Sequence, residues 1–244
     1  MQKYFISNDE FINNIITSDD VHHIKDVMRF KIGDKIIISN NNEEYLVEIS
    51  SIEKNSVMFN KLMAIQNNNE LPFSIDIYQG YPKGDKIEDI IKHSTELGMS
   101  NFYGVITKRS LFKLDAKKKE SKLERFQKIA KEAAEQSNRK RLPSIKDIIE
   151  LKKIDFSSYN HLILCYEEVA KNGESSNLKR IIKSFKPEDK IAVLIGPEGG
   201  IDKSEEEYLN NLGFVSCALG PRILRTETAA LYVLSACGYE WELK

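Results

Sequence analysis

The sequence of 244 residues has no apolar run approaching the roughly 18 residues that a bilayer-spanning helix requires. Its opening stretch, MQKYFISNDE, lacks the apolar core of a secretory leader, so a cytoplasmic protein is expected, with no membrane partner. Only three cysteines occur, Cys165, Cys217 and Cys237, each inside an apolar run and none in a CxxC or Cys/His spacing. That pattern leaves buried free thiols in a reducing compartment. Neither of the Gly-rich loops is a GxGxxG or a GxxxxGK[ST] fingerprint, so a ligand gripped by its pyrophosphate at a helix N-terminus is not expected. Internal repeats and low-complexity tracts are absent. His22 and His23 are adjacent, which in a helix sets them about 100° apart, and no third ligand stands at a useful spacing; no metal site is expected.

Net charge is also scarce, at −1, against a background of 41% hydrophobic and 30% charged residues that fits a globular protein. A near-neutral total argues against a nucleic-acid partner until it is resolved along the chain. Residues 1–70 carry 7 Lys/Arg against 11 Asp/Glu, residues 79–146 carry 17 against 9, and the remainder 12 against 17. The basic middle is an electrostatic footprint for a polyanion. The stretch KLDAKKKESKLERFQKIAKEAAEQ reads equally as an ordinary amphipathic helix with a solvated face.

What is present divides into two parts. In residues 1–70, KYFIS, KIIISN, YLVEIS and SVMFNKLMAI are short β-branched runs at the spacing of a small barrel, and SDDVHHIKDVMRF reads as a short helix with Ser18 as its cap. NNNELPF (67–73) is a linker. Beyond it, strand and helix patterns alternate, which predicts a parallel α/β sheet. SIDIYQGYP is a strand, KIEDIIKHSTELG a helix, and 101–107 a strand with Lys108, Arg109 and Ser110 at its carboxyl end. Two cations and a hydroxyl there suit a phosphate or a nucleobase carbonyl; a salt bridge to Asp115 or Glu96 accounts for them equally well. LERFQKIAKEAAEQSNRKRL is a long helix ending in Arg139, Lys140 and Arg141. Residues 145–158 read as a short helix and a connection, HLILCYEEVA as a strand, and LKRIIKSF as a helix.

The last fifty-odd residues organise the rest. IAVLI is short and apolar enough for a buried parallel strand, GPEGG follows as a loop, and Asp202 to Glu205 reads as a capping box opening a helix. FVSCALG, PRILR and TETAALYVLSACGYEW repeat that grammar, with Thr226 as the N-cap of a helix apolar on most faces and expected to be buried. Two such units set two loops side by side at the carboxyl edge of a parallel sheet, where open α/β sheets bind ligands.

LIGPEGGID and CALGPRILRTETAALYVLSACGYEW resemble the C-terminal signature of the RsmE family, the bacterial 16S rRNA (uridine-N3)-methyltransferases of the SPOUT superfamily. YPKGDKIEDIIKHSTELGMSNFYGVITKRS, KEAAEQSNR and VHHIKDVMRFKIGD continue the resemblance upstream in family order, over most of the chain. One departure is Asn138, where the EQSxR segment is expected to carry glycine; asparagine tolerates left-handed backbone angles better than most residues. The resemblance implies a PUA-like RNA-binding β-barrel over residues 1–70 and, over 74–244, a SPOUT methyltransferase domain whose parallel sheet carries a C-terminal trefoil knot. Pattern alone would not propose the knot, because threaded connections are rare. It also implies a homodimer with the cofactor site near its interface, S-adenosylmethionine as methyl donor, and 16S rRNA of the small ribosomal subunit as partner.

On that reading, backbone groups of Leu164, Gly196, Leu219 and Ile223 cradle adenine and ribose, and Leu224 and Ala229 are apolar walls. Cys165, Pro197, Gly199, Gly200, Gly220 and Thr228 complete the expected cofactor site, with Glu198 or a backbone carbonyl near the sulfonium or ammonium. Deprotonating uridine N3 spreads negative charge over O2 and O4, which Arg225 is expected to stabilise. Arg109 or Arg139 could arrive for this purpose from a second protomer. Glu227 or Glu198 would accept the proton; Glu227 is equally suited to a helix first turn. Arg29 and Lys31 in the barrel, with Lys83, Lys108, Arg109, Arg139, Arg141 and Arg222 beyond it, are the expected RNA contacts. Ribose 2′-O-methylation and a non-catalytic rRNA-binding assembly factor are the alternative functions.

Overall fold

The computed structural model describes residues 1–66, 69–110 and 116–243, without the side chains of residues 116 and 117. The chain divides into two compact units, Met1–Glu70 with Ala134–Leu142, and Leu71–Ala133 with Pro143–Lys244.

The first unit contains β1 (Lys3–Phe5), α1 (Asn8–Asn13), β2 (Ile15–Ile16), α2 (Asp20–His22) widening into a π-turn (His23–Val27), β3 (Lys35–Ser39), β4 (Glu44–Ile52) and β5 (Val57–Ala64). The strands pair in the order β1-β3-β4-β5-β2, parallel between β1 and β3 and antiparallel elsewhere. Two-residue alternation turns Ile36, Ile38, Val47, Ile49, Val57 and Phe59 inward, onto Tyr4, Phe11, Ile16 and Ile24. Register shifts at Leu46/Val47 and Ile49/Ser51 add local twist to the β4–β5 pair. Ser7 and Glu10 form a capping box at α1. Ser18 does not cap the next helix as expected: its N–H is taken by Glu10, its hydroxyl goes to Asp20, and Asp19 holds the cap position without a capping bond from its side chain.

The EQSNRKRL segment packs with this unit, and it corrects one expected RNA contact. Arg139 is 4% exposed, and its guanidinium bonds both carboxylate oxygens of Glu70 at 2.6–3.0 Å. Glu70 also accepts the N–H groups of Lys140 and Arg141. Buried Lys3 pairs with Glu44 and donates to the Arg139 carbonyl. Arg139 is therefore a neutralised internal cation, out of reach of a phosphate. Asn138 takes φ of +56°, the left-handed conformation expected of the residue standing in for glycine.

The second unit runs β6 (Ser74–Gly80), α3 (Lys86–Glu96), β7 (Asn101–Ile106), α4 (Ala116–Gln136), β8 (Ser144–Glu150), a 3-10 turn (Leu151–Lys153), β9 (His161–Cys165), α5 (Glu168–Lys171), α6 (Asn177–Ser184), β10 (Lys190–Ile195), α7 (Lys203–Asn211), β11 (Val215–Cys217) and α8 (Thr226–Glu242). The last residues of α4 count with the first unit. The sheet is wholly parallel, in the order β11-β9-β10-β6-β7-β8. Its edge strand β8 replaces the expected short helix at 145–158. The isoleucines of SIKDIIE suit a strand, and pairing along β7 buries Ile148.

One face of the sheet presents Ile75, Ile77, Ile163, Ile191 and Val193 to α3, α6 and α8; the other presents Tyr78, Leu164, Ala192 and Leu194 to Phe156, Leu209 and Phe214. Cover on both sides explains why these strands read as unbroken apolar runs. On the second face Tyr78 and Tyr159 share a 2.8 Å hydrogen bond, and Tyr159 donates to Asp76, which also accepts from Asn101. The three cysteines are buried and free, with burial raising Cys217 and Cys237 to about 12 and Cys165 further still. Helix α8 corrects an expectation of full burial: Ala230, Val233, Leu234 and Cys237 face the core, while Tyr232 and Tyr239 are 42% and 72% exposed. Among the described residues, no helix is long and apolar enough to cross a membrane.

The Arg139–Glu70 pair makes a direct test of the first unit. Glu70→Ala removes a carboxylate bonded to a buried guanidinium, and urea unfolding of this unit is expected to lose about 3 kcal/mol. Lys171→Ala, which removes an exposed pair with Glu168, should leave the midpoint where it is.

Candidate functional site

From β6 the chain builds β7 and β8 outward on one side, then returns to lay β10 on the other side of β6. The loops after β9, β10 and β11 consequently meet at one carboxyl edge, beside such a reversal of strand order, where open parallel sheets form their ligand crevices. Between them lies a cavity of about 680 Å³, within the ordinary range of ligand sites. Cys165, Tyr166 and Glu167 line it from β9, Gly196 to Glu198 and Gly200 from β10, and Leu219 to Arg225 from β11. Thr226, Glu227 and Ala229 of α8, Lys86 of α3 and Lys171 of α5 also line it.

Backbone contact sets the shape. A Cβ on Gly80 would stand 2.5 Å from both the nitrogen and Cδ of Pro197, so only glycine at the end of β6 admits the GPEGG loop. The fully buried Gln79 amide donates to Thr226 Oγ1 at 2.7 Å, and that hydroxyl donates to the Gly196 carbonyl at 2.6 Å. Thr226 is thus not the N-cap expected of it. Arg225 occupies the cap position, with its carbonyl accepting from Thr228 and Ala229, and the Thr226 side chain is spent tying α8 to the loop. Gly220 adopts φ of +102°, and a Cβ there would meet no atom within 4 Å.

The far end of GPEGG is held by the expected capping box, Asp202 with Glu205, at α7. Glu205 also accepts the Lys108 N–H at 2.8 Å, and the Lys108 ammonium reaches Asp202 and the Ser204 hydroxyl. Arg109 donates to the Gly199 carbonyl at 2.8 Å and stands 3.6 Å from Asp202. Asp202, not Glu96, is therefore the acidic partner of these cations; Asp115 lies outside the described residues. Hydrogen bonds from the Ser204 hydroxyl and N–H, with Lys108 behind them, pull the Asp202 carboxyl down to about 2.

Charges alternate along one wall. Glu198 Oε1 is 3.0 Å from Lys86 Nζ, which is 3.7 Å from Glu227 Oε2, and Glu227 Oε1 is 4.0 Å from Arg225. Glu198 also accepts the Lys83 N–H. Burial works to raise its pKa, but its own amide, Lys86 and the Lys83 N–H outweigh that and hold it below the usual glutamate range. Among the described residues, the buried Oε2 atom of Glu227 accepts no hydrogen bond. Lys86 was not among the expected site residues, though a lysine in the first turn of a helix opposes the macrodipole and calls for a counter-charge.

Of the expected cofactor residues, Cys165, Gly196, Pro197, Gly200, Leu219, Gly220, Ile223, Leu224 and Ala229 line the cavity. Three do not. Strand alternation turns Leu164 into the core on the other face of the sheet from Cys165. Thr228, two residues beyond Thr226, is rotated to the exposed side of α8. Gly199 faces Arg109 and lines a second hollow of about 500 Å³ with Tyr81, Lys83, Pro197 and Glu198. Arg225, Glu227, Glu198 and Arg222 all reach the main cavity. Arg29, Lys31 and Arg141 are exposed on the first unit, which is a separate body. Among the described residues no cluster of His, Cys, Asp and Glu is arranged to hold a metal.

The chain with this wholly parallel sheet, its loops gathered around a cavity, and a separate small mixed-sheet unit matches known families. Residues 69–238 match the RNA methyltransferase domain and residues 16–60 the RNA methyltransferase PUA domain, so the chain belongs to the RNA methyltransferases of this family. Ribosomal RNA small subunit methyltransferase E of Bacillus subtilis is 42% identical over 251 aligned residues, covering 100% of this chain and 98% of that one. Within the family, this chain therefore belongs with the small-subunit methyltransferases E. A crystal structure of a hypothetical protein superposes with a TM-score of 0.91 at 40% identity, covering 99% of both chains. The Neisseria gonorrhoeae ribosomal RNA small subunit methyltransferase E, crystallised bound to S-adenosyl methionine, gives a TM-score of 0.81 at 26% identity, covering 99% of this chain and 98% of that one.

The hydroxyl relay yields a prediction. Thr226→Val removes a donor from the Gly196 carbonyl and an acceptor from Gln79, and should cost about 2 kcal/mol in urea unfolding. Thr226→Ser, which keeps the hydroxyl, should recover most of that loss.

Proposed function

We propose that the protein methylates N3 of a uridine in 16S rRNA on the small ribosomal subunit, with S-adenosylmethionine as methyl donor. The observation that carries this reading is the convergence of Arg225, Glu227 and Glu198 on a cavity walled by the backbone of three strand-end loops. The residues present suit that donor. Gly220 offers backbone open to the space a Cβ would enter, Leu219, Leu224 and Ala229 offer apolar wall, and Glu198 and Glu227 offer negative charge. The donor supplies a methyl group on an already activated sulfonium.

The chain's own residues do the rest. Arg225, whose side chain is 84% exposed at the mouth of the cavity, stands where it can face O2 or O4 of an entering uridine and stabilise the uridinate. Glu227 is better suited than Glu198 to take the N3 proton. Glu198 is engaged and held in its ionised form by Lys86 and the Lys83 amide, whereas Glu227 has looser ion-pair contacts, 3.7 Å to Lys86 and 4.0 Å to Arg225. Extracting a base from stacked rRNA costs a few kcal/mol, offset by phosphate contacts from exposed Lys83, Arg109 and Arg222, and from Arg29, Lys31 and Arg141 on the first unit.

The finer architecture belongs to the same proposal. The five bulged strands and the PUA match support a barrel closure of the first unit. The jump of the chain from β10 past β9 to β11 supports a trefoil knot. The uncovered Tyr232 and Tyr239 on α8 support a homodimer. A cytoplasmic location follows from the ribosomal substrate.

Incubation with methyl-labelled S-adenosylmethionine and small subunits from an unmethylated strain, then nucleoside digestion, should place the label in 3-methyluridine. Label on ribose would reassign the nucleophile, and neither label nor donor binding would leave a binding module. Arg225→Ala should lower kcat about 100-fold with donor affinity kept. The depressed pKa of Glu198 fixes a pH profile. Its contribution is fully present above the ordinary glutamate value of 4.5 and lost only as pH falls below it, so calorimetric affinity for S-adenosylhomocysteine should stay level from neutral pH down to that point.

A further inference from the structure

We propose that Lys86 and Glu198 together form the receptor for the amino-acid end of the methyl donor, and so set the preference for donors that carry that end. The inference rests on the methyl-transfer reading. An amino acid carries a carboxylate and an ammonium on one carbon, and a protein ion pair of opposite order is its natural complement. The Lys86–Glu198 pair, with its charged atoms 3.0 Å apart, is such a complement on the cavity wall.

Each member is held in place from outside the cavity. Glu198 is anchored by the Lys83 N–H, so it keeps its position when Lys86 turns toward a ligand. Lys86 stands in the first turn of α3, whose N-terminal dipole adds to the attraction for a carboxylate, and the cap residue Asp85 makes no side-chain bond to that turn. Side-chain exposures of 41% for Lys86 and 31% for Glu198 leave both able to exchange a shared bond for a ligand. Both groups stay charged at neutral pH: Lys86 is raised, chiefly by its bond to Glu198, and Glu198 is lowered.

The other cations of the cavity are placed differently. Lys171 is committed to Glu168, which does not line the cavity, and Arg222 and Arg225 are exposed, the Arg225 side chain at 84%. Glu227, 3.7 Å from Lys86, gives the wall a second negative charge, so the group of three favours a ligand that is cationic overall, as a sulfonium amino acid is.

Calorimetry of the full chain with S-adenosylmethionine, S-adenosylhomocysteine and 5′-methylthioadenosine, which lacks the amino-acid end, tests the assignment. Lys86→Met and Glu198→Gln should each weaken the first two ligands about tenfold and leave methylthioadenosine within about twofold, and Lys86→Arg should restore most of the loss. Equal weakening of all three ligands would show that the pair only props up the loops, and no weakening would show that it touches nothing; either overturns the proposal. If the unaltered protein binds none of the three, the methyl-transfer reading itself falls and the receptor with it.

Discussion

The close approach of Gly80 to Pro197 is the constraint from which the site follows. At 2.5 Å from a would-be Cβ, the ends of β6 and β10 meet backbone to backbone, with no side chain to separate them. The contact sets the path of GPEGG, and the Gln79–Thr226–Gly196 relay then fixes where α8 begins. Arg225 and Glu227 flank Thr226, so their entry into the cavity is decided by that one buried hydroxyl. Glu198 follows Pro197, so its meeting with Lys83 and Lys86 is decided by the same joint. Each bond is worth only about 1 kcal/mol net, yet breaking one takes a hydrogen bond from polar groups that are buried away from water. The joint is therefore stiffer than its net energy suggests.

Burial, rather than residue type, sorts the charged groups into structural and functional ones. Arg139 and Arg225 were both candidates for the same chemistry. Glu70 binds one of them along the Nε–Nη2 edge of its guanidinium, and among the described residues the guanidinium of the other has only a 4.0 Å contact, to Glu227. The first can only hold a segment in place; the second can move onto a substrate. Lys108 and Arg109 lie between these extremes. Their bonds to Asp202, Glu205 and Gly199 shape the loop, and the solvent-exposed remainder of Arg109 faces the second hollow.

Periodicity and loop chemistry carried most of the architecture. The buried strands β6, β9 and β10 announced themselves as apolar runs, the α7 capping box by its Asp–Glu spacing, and the Asn138 turn by asparagine's tolerance of positive φ. Strand β8 was missed because SIKDIIE alternates too weakly to stand apart from a helix, and its identity comes from pairing with β7. In the cavity the loops were legible as segments, but the choice of residue within each depended on geometry. Leu164 and Cys165 are neighbours in sequence and opposites across the sheet; Thr226 and Thr228 are opposites around a helix. Lys86 escaped because its partners lie more than a hundred residues away. Helix α8 reads as buried because its composition is apolar nearly all round, but composition does not say what covers each face.

The same distinction governs the basic middle of the chain. Counted along the sequence, residues 79–146 carry 17 cations against 9 anions, which suggests a broad positive surface. In three dimensions part of that excess is already answered. Arg125 pairs with Glu88, Lys119 with Asp147, Lys86 with Glu198, and Lys108 and Arg109 with Asp202. Of these five acidic-partner contacts, those to Asp147, Glu198 and Asp202 draw on anions outside the window in which the charge was counted. A linear count thus overstates the field a polyanion would meet. Outside that window, exposed Arg222 and Arg225 line the cavity, and within it exposed Lys83 lines the neighbouring hollow, next to the acidic wall of Glu198 and Glu227. That juxtaposition suits a protein that must hold a cationic donor and an anionic substrate a bond length apart: negative charge lines the pocket for the donor, and positive charge waits at its mouth for the nucleic acid.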